Sequence, residues 1–258
     1  MMIKQQIEQT LERLLDEYQE QIDMPGLWRK PVIKYVDANH PEIPLFRDTV
    51  YPEHYLPADF LEAPTVILVY FVPFGEAAVK SNVGGKYASK LWIHAYTHAD
   101  AALPQIDAGI VDAIRKAGYQ AAVPTDTSYA GEGIYKSRWS HRHIARLGGM
   151  GTFGLNNLLL TDSGCCGYYS SVVTNLPIAP GQVLQEERCL YKRNGTCGLC
   201  VKRCVAGALT IDGFERNRCY DMCMEDAQHY KDDDFIHMAD ACGKCAAGMP
   251  CALRNPIA

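Results

Sequence analysis

All eleven cysteines of this 258-residue chain fall after residue 164, the first being Cys165. A disulfide scaffold needs an oxidising compartment and hence an export signal. The N-terminus, MMIKQQIEQTLERLLDEYQEQ, is instead a charged amphipathic segment with no apolar core of that kind. The expected compartment is the reducing cytoplasm, where clustered cysteines bind metal or carry out redox chemistry.

After Pro180, eight cysteines form two similar sets: Cys189, Cys197, Cys200 and Cys204, then Cys219, Cys242, Cys245 and Cys251. Each set reads as one cysteine, a gap, C-x2-C, a gap and a last cysteine. In two-cluster ferredoxins the last cysteine of each run ligates the cluster held by the other run. The pattern therefore predicts two crossed 4Fe-4S sites. Cys189, Cys197, Cys200 and Cys251 would hold one cluster, and Cys219, Cys242, Cys245 and Cys204 the other. Zinc is the competing reading, because paired C-x2-C motifs also build zinc ribbons. It fits less well, since 41 residues separate Cys200 from Cys242 and a single zinc ion leaves seven cysteines unassigned. Cys165, Cys166 and Cys223 stand outside both sets. The adjacent pair is awkward as a mutual disulfide and is expected to be buried and structural.

Before the tail, Ile3, Ile7, Leu11, Leu14, Leu15, Tyr18 and Ile22 recur at helical spacing up to Pro25-Gly26, predicting an opening amphipathic helix. Residues 27–63 lack a sustained period and read as an irregular wrap. TVILVYF, between Pro64 and Pro73, suits a central strand buried on both faces. A helix over 87–102, a second through Ile106, Ile110, Val111 and Ile114, and a strand over 119–123 follow. Residues 139–147 read as helix, 157–161 and 168–176 as strands. This order predicts an α/β (α+β) cofactor-binding domain over 1–180, with Pro177 and Pro180 marking its boundary to a small ferredoxin-like domain over 181–258. The composition, 48% hydrophobic and 21% charged, is that of an ordinary globular protein. A net charge of -5 weighs against polyanion partners. The longest apolar run, Val66 to Val72, is far too short to cross a membrane.

Gly149-Met-Gly151-Thr-Phe-Gly154 matches the dinucleotide string G-x-G-x-x-G. That fingerprint must follow a strand and open a helix, whereas here a predicted helix precedes it and the strand-like NLLLT follows. Three glycines in six residues still imply a close backbone approach, either to a neighbouring segment or to a bulky cofactor.

The runs RLGGMGTFGLNNLLLT, GYYSSVVTNLPI, CGLCVKRCVAGAL and RCYDMC resemble epoxyqueuosine reductase in order and spacing. That family reduces an epoxide on a modified tRNA nucleoside using cobalamin and two 4Fe-4S clusters. Its nitroreductase-like cobalamin-binding domain is similar to those of reductive dehalogenases. The resemblance spans roughly residues 54–255 and is strongest from Arg146. It implies that Gly149, Gly151, Gly154 and Asn156 lie in the loop beside the corrin, that Cys204 holds the Cys-Pro position, and that Cys219 is the isolated fourth ligand. Three departures stand out. Asn194 occupies the family's first clustered cysteine, leaving Cys189 to substitute from upstream; Val205 replaces the proline; and the second run is stretched to Cys245-x5-Cys251.

The family's acidic proton donor falls where this sequence has Tyr135, with Asp126 and Glu132 nearby as reserves. A tyrosine is what reductive dehalogenases use in that role. The chain ends at Ala258 without the helical-repeat extension used for tRNA, so the resemblance implies a short form for which tRNA is disfavoured. The expected function is that of a cytoplasmic reductase. Its clusters would relay electrons from a reduced ferredoxin or flavodoxin-type donor to cobalamin, for reduction of a small organic substrate. The alternative is a ferredoxin-like electron carrier or corrinoid-handling protein with no substrate of its own. His94 with His98, and His141 with His143, have metal-binding spacings but are expected to be structural. In the family no protein group ligates the cobalt.

Overall fold

The computed structural model describes residues 2–127, 129–131 and 133–258. The first helix, α1 (Met2–Gln21), buries Ile7, Leu11, Leu15 and Tyr18, the stripe its periodicity predicts. The stretch read as an irregular wrap contains a strand, β1 (Val32–Asp37), and a one-turn helix, α2 (Phe46–Thr49). β1, with the sequence VIKYVD, lacks a clean alternation, and its pairing partner stabilises it. That partner is β2 (Val66–Pro73), every residue of which is buried.

Chain direction then reverses through α3 (Glu76–Ser81) into α4 (Lys90–Lys116). The sequence suggests two helices here, and the structure corrects this to one that runs through Pro104. An internal proline costs a helix about 3 kcal/mol. The buried face of Ala99, Ala102, Leu103, Ile106, Ile110 and Ile114 outweighs that cost. Ser89 caps the start, its hydroxyl accepting the backbone N–H of Trp92 at 3.2 Å.

Short elements follow: β3 (Ala121–Ala122), the hairpin β4 (Tyr129–Gly131) and β5 (Ile134–Ser137), α5 (His141–Leu147), and the hairpin β6 (Gly151–Phe153) and β7 (Leu159–Thr161). β8 (Gly167–Thr174) returns to the main sheet, whose order is β1-β2-β8-β3, antiparallel throughout. Residues 175–188 carry no regular element and lead to the tail, with α6 (Leu190–Asn194), α7 (Leu199–Arg203) and α8 (Arg216–His229). Among the described residues no helix is long and apolar enough to cross a membrane.

Alternation along β2 divides the core. Val66, Leu68, Tyr70 and Val72 belong with α1 and α4, while Ile67, Val69 and Phe71 belong with α2 and α5. The tail joins the first of these layers through Cys200, Leu209, Ala246 and Met249. The fold is mixed α/β, and it seats the cysteine-rich tail on the α4 side of the sheet.

One buried carboxyl marks the interface of α4 with the sheet. Asp107 accepts hydrogen bonds from Tyr70 at 2.8 Å and Ser170 at 2.7 Å, yet burial pushes its pKa up to about 6, the two donors only partly opposing that. Between its unfolded value near 3.8 and about 6 the folded state binds the extra proton, so this group's stabilisation is lost as pH rises through that window. Asp107→Asn should therefore gain on the parent by about 2–3 kcal/mol between pH 4 and pH 7 in urea unfolding, at about 1.36 kcal/mol per pKa unit. A difference that does not change with pH would contradict this assignment.

Candidate cluster sites and an adjoining cleft

The tail's cysteines sit at helix ends and turns. Cys189 starts α6, Cys197 precedes α7, Cys200 lies within α7 and Cys204 closes it. Cys219 lies in α8, and Cys242 precedes a tight turn that contains Cys245. That turn needs Gly243, whose φ of 64° is left-handed and where a Cβ would stand 2.1 Å from the Trp92 ring. The turn is thereby pressed onto α4.

Cys189, Cys197, Cys200 and Cys251 line one cavity, with Gly154, Asn156 and apolar side chains as its remaining walls. Burial pushes Cys200 up to about 11, and Cys251, Cys189 and Cys197 add to the effect. Cys251 is raised first by its hydrogen bond with the Cys165 thiol and then by burial. In the other group, burial pushes both Cys242 and Cys245 up to about 12. Cys242, Cys204 and Cys200 raise Cys245 further, so the two groups adjoin. Cys219 is raised by its hydrogen bond with Cys223, then by burial and by Cys245 and Cys242.

The donor set is soft sulfur, the kind that suits iron-sulfur clusters and zinc. Among the described residues no three His, Cys, Asp or Glu side chains close around a single point as one metal ion requires. The first four thiols surround a common space. Protonated thiols of this kind bind as thiolates, so cluster uptake releases protons.

The glycine loop turns its close approaches inward. A Cβ on Gly149 would stand 2.2 Å from the carbonyl oxygen of Gln182, and one on Gly151 would stand 2.3 Å from that of Leu160. Of the two readings of this loop, the neighbouring segment is what these glycines meet. Gly154 and Asn156 face the first thiol group; Asn156 donates to the Cys245 carbonyl at 3.2 Å.

Beside the second group runs a cleft. Two cavities of about 330 and 350 Å³ share Tyr96, Arg142, Leu158, Cys165 and Gly167 and are therefore continuous. Ser137, Trp139 and His141 line one end; Tyr220, Cys223, Cys242 and Cys245 line the other. His141, expected to be structural, is part of the cleft wall. The Trp139 indole donates to the Ser171 hydroxyl at 2.9 Å, and that hydroxyl lies 3.0 Å from His141 Nδ1. An indole can only donate, so the Ser171 oxygen accepts from Trp139 while it also meets His141 Nδ1. Burial, with His54 adding to it, lowers His141 to about 4. The ring thus stays neutral at physiological pH. His143 bonds Ser140 at 2.7 Å and packs between Phe46 and Phe153.

The sequence-derived proton-donor candidates separate. Tyr135 stacks at 3.8 Å on Tyr220, a residue of the cleft lining. Asp126 is exposed, pairs with Arg138 at 2.8 Å and accepts from Tyr55 at 3.1 Å. Glu132 lies outside the described residues. Sequence reasoning missed His141, Arg142, Tyr96 and Tyr168 as cleft residues. The W-S-H-R string just before the glycine loop was the available signal for two of them.

Comparison with solved structures finds this fold in two kinds of protein. A selenomethionine-labelled epoxyqueuosine reductase is similar with a TM-score of 0.53 at 15% identity, over 94% of this chain and 66% of that one. The epoxyqueuosine reductase from Streptococcus thermophilus gives 0.52 at 17% identity, over 94% and 67%. A catabolic reductive dehalogenase gives 0.52 at 16% identity, over 88% of this chain and 30% of that one. The likeness is one of fold, and this chain spans about two thirds of the epoxyqueuosine reductases' length. No protein-family model matches the sequence, nor does any curated protein.

Proposed function

We propose that this protein is a reductase in which two 4Fe-4S clusters pass electrons to a corrinoid in the cleft, for reduction of a small organic substrate. The observation that carries this reading is that Cys242 and Cys245, two thiols of one cysteine set, line the same cleft as His141 and Arg142. A cluster seated on them borders the place where substrate is reduced. Cys189, Cys197, Cys200 and Cys251 would hold the first cluster, and Cys204, Cys219, Cys242 and Cys245 the second. The cleft lining includes the partly exposed aromatic side chains Tyr96, Tyr168 and Tyr169 at one end and Tyr220 at the other, surface that suits a macrocycle. When bound, the corrinoid supplies low-valent cobalt, and the chemistry at carbon is the cofactor's. The chain's residues position and protonate. Tyr135 delivers a proton at the rim, while the His141 imidazole and the Arg142 guanidinium hold an electron-rich or anionic substrate group. A reduced ferredoxin or flavodoxin-type protein is the proposed electron donor, and a small molecule rather than tRNA the substrate. The α/β part, 1–180, forms most of the cleft, and the tail, 181–258, carries the clusters.

Anaerobic reconstitution followed by iron assay and cobalamin titration tests this. About eight irons per chain are expected, with a visible spectral change on adding cobalamin. Stoichiometric zinc without iron absorbance would refute the cluster assignment. Full iron with no cobalamin binding tighter than about millimolar, roughly -4 kcal/mol, would refute the corrinoid and favour an electron carrier.

A further inference from the structure

Cys223 belongs to neither cysteine set read from the sequence, yet the fold places it in the second site. It lies four residues after Cys219 on α8, one turn along the same face. The two thiols are hydrogen-bonded to each other. Cys223 also accepts the backbone N–H of Cys242, a member of the same group. It lines the cleft together with Cys242 and Cys245, whereas Cys219 does not.

We propose that the second cluster site carries five thiols for four irons, and that Cys223 competes with Cys219 for the same iron. This rests on the cluster reading above. Two sulfurs within hydrogen-bonding reach of each other, on one face of one helix, can serve the same metal position by a change of side-chain rotamer. Exchange breaks the iron bond to Cys219 and forms one to Cys223. The proton of the Cys223 thiol passes to the Cys219 thiolate, and no electron is gained or lost. With Cys223 bound, the cluster is ligated from the cleft side. With Cys219 bound, a free thiol faces the cleft.

Alanine variants of the full chain decide this: Cys219→Ala, Cys223→Ala and the double variant, each reconstituted anaerobically and checked for fold by circular dichroism. Iron per chain is measured, and electron paramagnetic resonance is recorded after dithionite reduction. The parent's second-cluster signal should be a superposition of two species. Each single variant should keep one species with nearly the parent's iron, and the double variant should lose about half of the iron. Cys223→Ala alone still tests the proposal if Cys219→Ala does not fold, because it must remove one species. A folded Cys219→Ala variant with half the parent's iron, or a Cys223→Ala variant with an unchanged signal, overturns the proposal while leaving the cluster reading intact. A parent that takes up no iron overturns both.

Discussion

Cys251→Ala should cost the protein about half of its iron and all turnover that depends on electrons crossing both clusters. The residue lies at the far end of the chain from the segment that supplies its three partners, and its thiol lines their cavity. Removing it leaves Cys189, Cys197 and Cys200 with one iron unligated. Fold should survive, because the backbone in this region is tied down independently of the thiol. Cys165 donates its N–H to the Cys251 carbonyl at 2.9 Å, and Gly164 packs so closely on Ala252 that a Cβ there would stand 2.3 Å from its carbonyl oxygen. Cys166→Ala serves as the control for iron content, since that buried thiol does not line the first cavity and belongs to neither cysteine set, although it lines the cleft. The measurement is iron per chain together with the paramagnetic signal that disappears. If the signal lost with Cys251→Ala is also the one lost with Cys242→Ala, the two thiols serve the same cluster and the crossed assignment is wrong.

Such a prediction can be made because cysteine spacing carries long-range information that periodicity does not. The two C-x2-C turns name thiols that must converge, and pairing each with a cysteine from the other run brings residues 38 to 54 positions apart into one site. Hydrophobic pattern located α1 and β2 for a similar reason: Ile7, Leu11 and Leu15 face one layer, and eight consecutive buried residues leave no doubt of a central strand. It failed at β1, whose stability comes from pairing with β2 rather than from its own alternation. It also failed at Pro104, where local propensity says stop but the buried face of α4 continues. The glycine loop shows a third limit. Sequence can say that three glycines need room, but whether the space is filled by a ligand or by the carbonyls of Gln182 and Leu160 depends on tertiary packing. The cleft was least legible, because Tyr96, His141, Cys165 and Tyr220 come from four separate segments with no shared motif.

Tyr135→Phe should lower turnover by about 10²- to 10⁴-fold, the usual contribution of general acid catalysis, while leaving cluster reduction unchanged. Reduction at carbon consumes a proton with the electrons, so a donor must stand at the cleft. Phenols hold their proton at neutral pH, whereas a carboxylic acid has to be buried before it can donate there. Asp126, exposed and paired with Arg138, has no such burial. Tyr135 is held by its ring: the stack on Tyr220, 3.8 Å between centroids and 18° from parallel, joins the β5 segment to α8. Phenylalanine keeps that stack and removes only the hydroxyl, so the variant separates proton delivery from positioning. The assay should supply electrons from dithionite and follow cluster reduction and product formation separately, with a solvent isotope effect on the second. Loss of turnover with normal cluster reduction supports the phenol as donor. A loss below about tenfold with the isotope effect intact removes Tyr135 from the role and makes His141, whose imidazole lines the cleft, the next candidate. His141→Gln then becomes the deciding variant, because it keeps a neutral N–H donor at that position but cannot relay a proton through a ring.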